Sequence, residues 1–280
     1  MKTGNADGAA LVRLLTGLLF AAVVLLLVWV PFLSLGLAVL VAALVGQGFR
    51  ELCALARARG LSPESVGGVT SATLVAFSGY WGDARITAMV LAATVLALCV
   101  LQVWRGLRLA NLSVSVFGVV YVGWFGAHFV LMHGMPQTGA GLVTLLIAVV
   151  ALSDTGAYTF GSWIGKHKLA PVVSPNKTWE GAAGGFALAL ISGAAVYALR
   201  EGLGWNAFPD WSLGRYVATA AVVSVVGQLG DLAESAMKRY AGIKDSGAVF
   251  PGHGGVLDRC DSYLFAAPVL YYLVFPFGPT

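Results

Sequence analysis

Long, unbroken runs of apolar residues fill most of the chain, and short polar stretches separate them. The apolar positions are continuous rather than alternating, which argues against a membrane barrel and predicts transmembrane helices. A helix needs about 20 apolar residues to cross the hydrocarbon core. On that measure nine spans are expected, at 11–30, 33–50, 66–81, 86–104, 112–132, 139–163, 181–199, 215–237 and 260–277. The third is short and rich in Gly, Ser and Thr, and the second continues as an amphipathic helix through Glu51 and Arg59. The first run follows a basic start and is long for a cleaved signal, with no small-x-small site after it, so it is read as a retained span.

Composition agrees: 58% of residues are hydrophobic, 11% are charged and the mean hydropathy is +0.82. Soluble domains carry about 25% charged residues. The expected fold class is therefore an all-α polytopic membrane protein. It is read as a single integral membrane domain over 1–280, with N-terminal helices at 1–132 and C-terminal helices bearing the polar motifs at 139–280. Cys53, Cys99 and Cys260 have no metal-binding spacing, which argues against a zinc site or a disulfide framework.

The placement of basic residues says more than the net charge of +4. With a cytoplasmic N-terminus and nine spans, Lys2, Arg13, Arg50, Arg57, Arg59, Arg105, Arg108, Lys166, Lys168, Lys177, Lys238, Arg239, Lys244 and Arg259 all fall inside. Arg85, Arg200 and Arg215 alone fall outside. The polar loops 164–180 and 238–259 then share the cytoplasmic face. Short loops and the absence of an organelle signal point to a bacterial cytoplasmic membrane.

Charges inside spans are costly and usually functional. Asp154 lies deep in the sixth expected span, and Asp231 and Glu234 lie in the eighth, three residues apart and so on one helix face. Asp258 and Asp261 repeat that spacing at the start of the ninth. Carboxylates on neighbouring helices cannot all stay ionised in a low dielectric without a cation. Their all-oxygen donors suit a hard divalent ion such as Mg²⁺, with Asp231, Asp258 and Asp261 as metal ligands and Glu234 and Asp154 as further candidates. The competing reading is salt bridging, from Glu234 to Lys238 at i, i+4 and from Asp258 to Arg259 or Arg239; for Glu234 the two readings balance. Asp154 can equally be a helix–helix hydrogen-bonding group.

Lys238, Arg239, Lys244 and Arg259 alternate with these acids, and the other loop adds Lys166, Lys168 and Lys177; taken singly, Lys166, Lys168 and Arg105 are explained by the positive-inside bias alone. Cations interleaved with aspartates and glycines suit a metal-bound polyphosphate. Gly247, Gly252, Gly254 and Gly255 permit close backbone approach to a ligand. Ser174 and Pro175 read as an N-cap and first helical turn, which would put Asn176, Lys177 and Thr178 at a helix N-terminus favourable to phosphate. No strands are expected. Gly161 to His167 falls one residue short of a phosphate loop and lacks its Ser or Thr. His128 reads as a packing group, while His253 sits in the glycine-rich loop within reach of phosphate and is the weaker choice for a general base. Gly181, Gly185, Ala189 and Gly193 form a ridge of small residues, read first as ordinary helix packing and second as a dimer seam.

Ser235, Met237, Lys238, Arg239, Lys244, Asp245, Gly247, Phe250, Pro251, His253, Gly254, Gly255, Val256, Asp258, Arg259, Cys260 and Asp261 span 27 positions that resemble the signature of the phosphatidate cytidylyltransferases, or CDP-diacylglycerol synthases. Cys260 departs from it, standing where that family usually has an aliphatic residue or Thr. Ser174 to Gly181 resembles the family's second motif, and Asp154 to Tyr158 and Gly230 to Ser235 also look familial. The resemblance implies a Mg²⁺-dependent membrane enzyme that joins CTP to phosphatidic acid, releasing pyrophosphate, and that assembles as a homodimer. It implies catalytic roles for Asp231, Asp258, Asp261, Lys238 and Arg239, and two cations clamping the reacting oxygens. Substrate contacts would come from Ser174, Asn176, Lys177, Thr178, Ser235, Lys244, Asp245, His253, Gly254, Gly255 and Arg259. The expected partners are CTP, phosphatidic acid and membrane lipid; nucleic acid is not among them. Two other readings compete: an ion- or proton-coupled transporter using Asp154, Asp231 and Glu234, and a different lipid-phosphate transferase.

Overall fold

The structure is a computed structural model that describes residues 17, 19–106, 108–247, 249 and 254–274. The described chain opens with the apolar helix α1 (Leu19–Trp29). It continues through α2 (Ser34–Arg57), α3 (Ser65–Ser78), α4 (Ala84–Trp104), α5 (Leu109–Gly118), a π-helical segment (Val119–Trp124), α6 (Phe125–His133) and α7 (Gly139–Ile164). A small hairpin of β1 (Lys168–Ala170) and β2 (Ser174–Thr178) follows, then α8 (Trp179–Leu203), α9 (Leu213–Ala241) and α10 (Leu257–Val274).

Six of these helical stretches are long and apolar enough to cross a membrane: Pro31–Arg57, Ala84–Trp104, Leu109–His133, Gly139–Ile164, Trp179–Leu203 and Leu213–Ala241. The protein is thus a helical integral membrane protein. Helix α3, at 14 residues, rises about 21 Å against a hydrocarbon core of about 30 Å, so it does not span by length alone. Only 17% of the most apolar stretch of α4 is buried in the protein, and Met89, Leu96, Val100 and Val103 point outward. An exposed apolar face of this size is what a lipid-facing helix presents.

The interior has two apolar cores, and α10 lies between them. Leu257 and Leu264 pack with Val45, Phe49 and Leu52 of α2 and Val122 of the π segment. Ala266, Ala267 and Leu270 pack with Leu142, Leu146 and Val149 of α7 and Val223 of α9. Helices α7, α8 and α9 close through small residues and a polar knot. An added Cβ at Gly181 or Gly185 would lie 2.7 Å or 2.5 Å from the carbonyl oxygens of Ala157 and Ser153, and one at Gly193 would lie 2.8 Å from that of Tyr216. The ridge is consumed by packing within the chain, as the ordinary-packing reading expected. Ser153 and Ser224 hydroxyls meet at 2.8 Å, and Gln228 Nε2 donates to the Ala182 carbonyl at 3.2 Å.

The hairpin corrects two expectations, since strands are present where none is expected. Ser174, Pro175, Asn176, Lys177 and Thr178 form an extended strand, not a helix start, and pair antiparallel with β1 in the register Lys168 to Thr178 and Ala170 to Ser174. Pro175 disfavours the helical region for Ser174. Thr178 is extended and is itself the N-cap of α8, its hydroxyl accepting from Gly181 N–H. Glu180, in the first turn, accepts from the N–H groups of Lys166 and His167 and pairs with His167 Nδ1 at 2.6 Å, which ties the end of α7 to the start of α8.

Candidate active site

Helices α7, α9 and α10 bring Asp154, Asp231 and Asp261 into mutual electrostatic range. Close helix approach makes this possible: a Cβ added at Gly230 would lie 2.7 Å from the Asp261 carbonyl oxygen. Strand β2 adds Lys177, whose Nζ lies 2.5 Å from Asp231 Oδ2, and Arg259 lies within electrostatic range of Asp154. Ser235 donates from one turn further along α9 to Asp231 Oδ1 at 3.4 Å. Asp261 is buried, with Oδ1 accepting from Ser262 N–H at 2.7 Å. Asp154 is exposed on its helix.

A second cluster stands beside the first. Lys238 Nζ lies 2.6 Å from both Glu234 Oε2 and Asp258 Oδ1. Glu234 has no accessible surface; its lysine is close enough to form an ion pair but off the hydrogen-bonding direction. Asp258 Oδ2 accepts from Gly255 N–H at 2.7 Å, from Ser246 N–H at 2.9 Å and from the Ser246 hydroxyl at 3.0 Å. Both oxygens of Asp258 are therefore engaged by donors. The i, i+4 salt bridge weighed for Glu234 is present; the one weighed for Asp258 goes to Lys238 rather than to Arg239 or Arg259, because Lys238 projects from the facing side of α9.

The remaining expected site residues fall around these clusters. Arg239 is exposed and donates through Nε to the Val173 carbonyl at 3.1 Å, which docks the hairpin on the end of α9. The two polar loops therefore lie at the same end of the helices. Lys244, Asp245 and Asn176 are exposed, and Ser174 is half-buried. Gly254 and Gly255 lie against the second cluster, and Gly254 has φ +85°, the left-handed region that favours glycine. His253 lies outside the described residues. Among the described residues, no three His, Cys, Asp or Glu side chains are grouped tightly enough to form a ready-made metal site. The donors are nonetheless the hard oxygens that Mg²⁺ prefers, and the first cluster sets three carboxylates against the two cations Lys177 and Arg259. By charge and donor chemistry the set fits a divalent cation.

Sequence reasoning missed Glu51. The sequence puts it on an amphipathic extension of the second span, yet it is 4% exposed and sits under the second cluster. The available signal was its isolation: the only acidic residue in α2, one turn before Leu55 and Ala56, which are buried. Beside these clusters lies an apolar cavity of about 360 Å³, lined by α1, α2, the π segment, α6, α7 and α10. Phe20, Leu44 and Phe129 contribute to its walls, and Arg259 is the one charged residue among the described residues that line it.

Comparison with known proteins places the chain in a family. The profile of the Cytidylyltransferase family matches residues 11–277. A phosphatidate cytidylyltransferase of Staphylococcus aureus (strain COL) is 40% identical over 162 residues, which cover 57% of this chain and 59% of that protein. The phosphatidate cytidylyltransferase of Staphylococcus haemolyticus is 41% identical over 162 residues, with the same coverage. That of Staphylococcus epidermidis is 41% identical over 160 residues. The aligned part thus spans less than two thirds of these relatives' own length. With its profile matched over nearly its whole length, the chain belongs to the Cytidylyltransferase family.

Proposed function

We propose that the protein transfers CMP from CTP to phosphatidic acid, giving CDP-diacylglycerol and pyrophosphate, as part of phospholipid biosynthesis. The observation that carries this reading is the junction at Arg259, where an apolar cavity among membrane helices meets a polar site of aspartates and basic residues. A lipid phosphate needs both environments at once: the cavity suits an acyl chain, and the guanidinium suits its phosphate. The named relatives are phosphatidate cytidylyltransferases, which supports the choice of substrates.

In this reading a phosphatidate oxygen attacks the α-phosphorus of CTP. The new P–O bond forms as the bond to the β-phosphate oxygen breaks, and pyrophosphate leaves. Phosphate monoesters lose their second proton near pH 6, so the attacking group needs no dedicated base at neutral pH. Lys177 and Arg259 neutralise phosphate charge at the reacting centre, while Arg239 and Lys244, at the exposed edge, receive the outer phosphates. Asp231 and Asp261, with Asp154, would hold Mg²⁺; when bound, it would neutralise charge on the transferring and leaving groups. Asp258 is not retained as a ligand in this proposal, since its two oxygens already accept from four donors, against two partners at Asp231. Catalysis then rests on positioning and charge stabilisation.

The cytoplasmic placement of the polar end, the nine-span topology, the bacterial inner membrane and the homodimer belong to the same proposal. The small-residue ridge of α8 does not support a dimer, since helices α7 and α9 occupy it. A transporter is the weaker reading, because the charged clusters gather at one end of the helices beside two polar loops.

The test is pyrophosphate release by the purified protein in detergent with CTP, Mg²⁺ and phosphatidic acid, each omitted in turn. Release that needs all three establishes the reaction. Monodisperse protein that releases none across several lipids refutes it.

A further inference from the structure

The carboxylate of Glu51 is buried beneath the signature loop, about 200 residues away in sequence. Its Oε1 accepts from Val256 N–H at 3.0 Å, and its Oε2 accepts from Leu257 N–H at 2.9 Å and from the Ser246 hydroxyl at 3.1 Å. Gln47, one turn earlier on α2, donates to Oε1 at 3.3 Å. Val256 and Leu257 N–H are among the donors that the first turn of α10 leaves without helical partners. A charged carboxylate satisfies them and opposes the positive end of the helix dipole.

Glu51 fills the space beside two glycines of the loop. A Cβ at Gly247 would lie 2.6 Å from Glu51 Oε1, and one at Gly255 would lie 2.5 Å from Oε2. Ser246 then joins two carboxylates: its hydroxyl lies 3.1 Å from Glu51 and 3.0 Å from Asp258, and its single proton can serve one of them at a time. Glu51 and Asp258 together hold Ser246 at one side of the loop and Gly255 to Leu257 at the other.

We infer that Glu51 is a positioning residue: it locks the first turn of α10 to α2, and so sets Arg259 and Asp261 against Asp231 and Lys177. The kinetic part of this inference rests on the cytidylyltransfer reading; the structural part does not. It also means that the α10 N-terminus is occupied by the protein's own carboxylate and does not receive a substrate phosphate.

The test uses the full chain in detergent and compares Glu51→Gln with Glu51→Asp. Glu51→Gln keeps the shape but turns an acceptor into an NH₂ group facing N–H donors. Hydrogen exchange is the first readout, because it needs no activity. We expect the amides of Ser246 and Gly255 to Leu257 in Glu51→Gln to exchange at least about tenfold faster, as hydrogen bonds to a charged acceptor are lost. The α7–α8 amides should be unchanged. The second readout is kinetic: kcat should fall by about tenfold or more while KM for CTP moves less than about threefold, because geometry rather than binding is lost. Glu51→Asp, which keeps the charge, should recover part of kcat. Unchanged exchange around Gly255 in Glu51→Gln overturns the inference, as does a loss confined to KM. Altered exchange in a protein whose wild type releases no pyrophosphate refutes the proposed reaction and leaves the locking role standing.

Discussion

Lys238 shows at residue scale how much one side chain can carry. Its ammonium group serves two carboxylates, Glu234 with no exposed surface and Asp258 with a side chain 8% exposed. Replacing it with Met would leave both acids without their cation in a poorly solvated site. Lys238→Met should therefore lose about 3–5 kcal/mol of stability, read as unfolding in a denaturant titration in mixed micelles. Lys177 differs, because its partner Asp231 is partly open to solvent. Lys177→Ala should cost less than about 1 kcal/mol of stability. It should still lower pyrophosphate release by at least about a hundredfold, because it removes a charge from the reacting centre. Motif spacing made both lysines visible in the sequence. Glu51 was not visible, because its meaning depends on amides about 200 residues away.

At the scale of elements, helix positions were legible and helix ends were not. Apolar runs mark where the long helices cross, since lipid demands them. The ends are decided by caps and pairing. Thr178 ends a strand and starts a helix; Pro175, three residues earlier, suggests a helix start by residue type but instead sits within β2. Thr178→Ala removes the cap on Gly181 N–H and should lower stability by about 1 kcal/mol, measured by thermal unfolding. The contact between α7 and α8 tolerates no added bulk. Gly185→Leu should separate the two helices and abolish folding, seen as loss of monodisperse protein on size exclusion, because its Cβ alone would meet the Ser153 carbonyl oxygen.

For the whole molecule, the two ends of the helices differ in kind. One end gathers Arg59 on the Tyr240 carbonyl, Arg105 with Glu64, Arg239 on Val173 and both acidic clusters. The other gathers aromatic rings, with Trp29 and Trp205 stacked at 4.9 Å and Arg215 over Trp211 at 4.5 Å. If the polar end is cytoplasmic, Lys168→Cys in a background without Cys53, Cys99 and Cys260 should resist an impermeant maleimide in intact cells, and Glu201→Cys should react; the reverse pattern inverts the topology. A helical membrane protein with its polar chemistry gathered late in the chain is legible from the residues in order. Apolar run length, charge placement and local motif spacing are one-dimensional quantities. That Asp231 meets Lys177, that Asp258 is held by Lys238 and Ser246, and that Glu51 lies beneath the loop are visible only once the helices are packed. Those pairings depend on how α2, α9 and α10 are rotated against one another. Rotation is set by the close packing of small residues such as Gly230 and Gly255 against distant backbone and side chains, which no local pattern records.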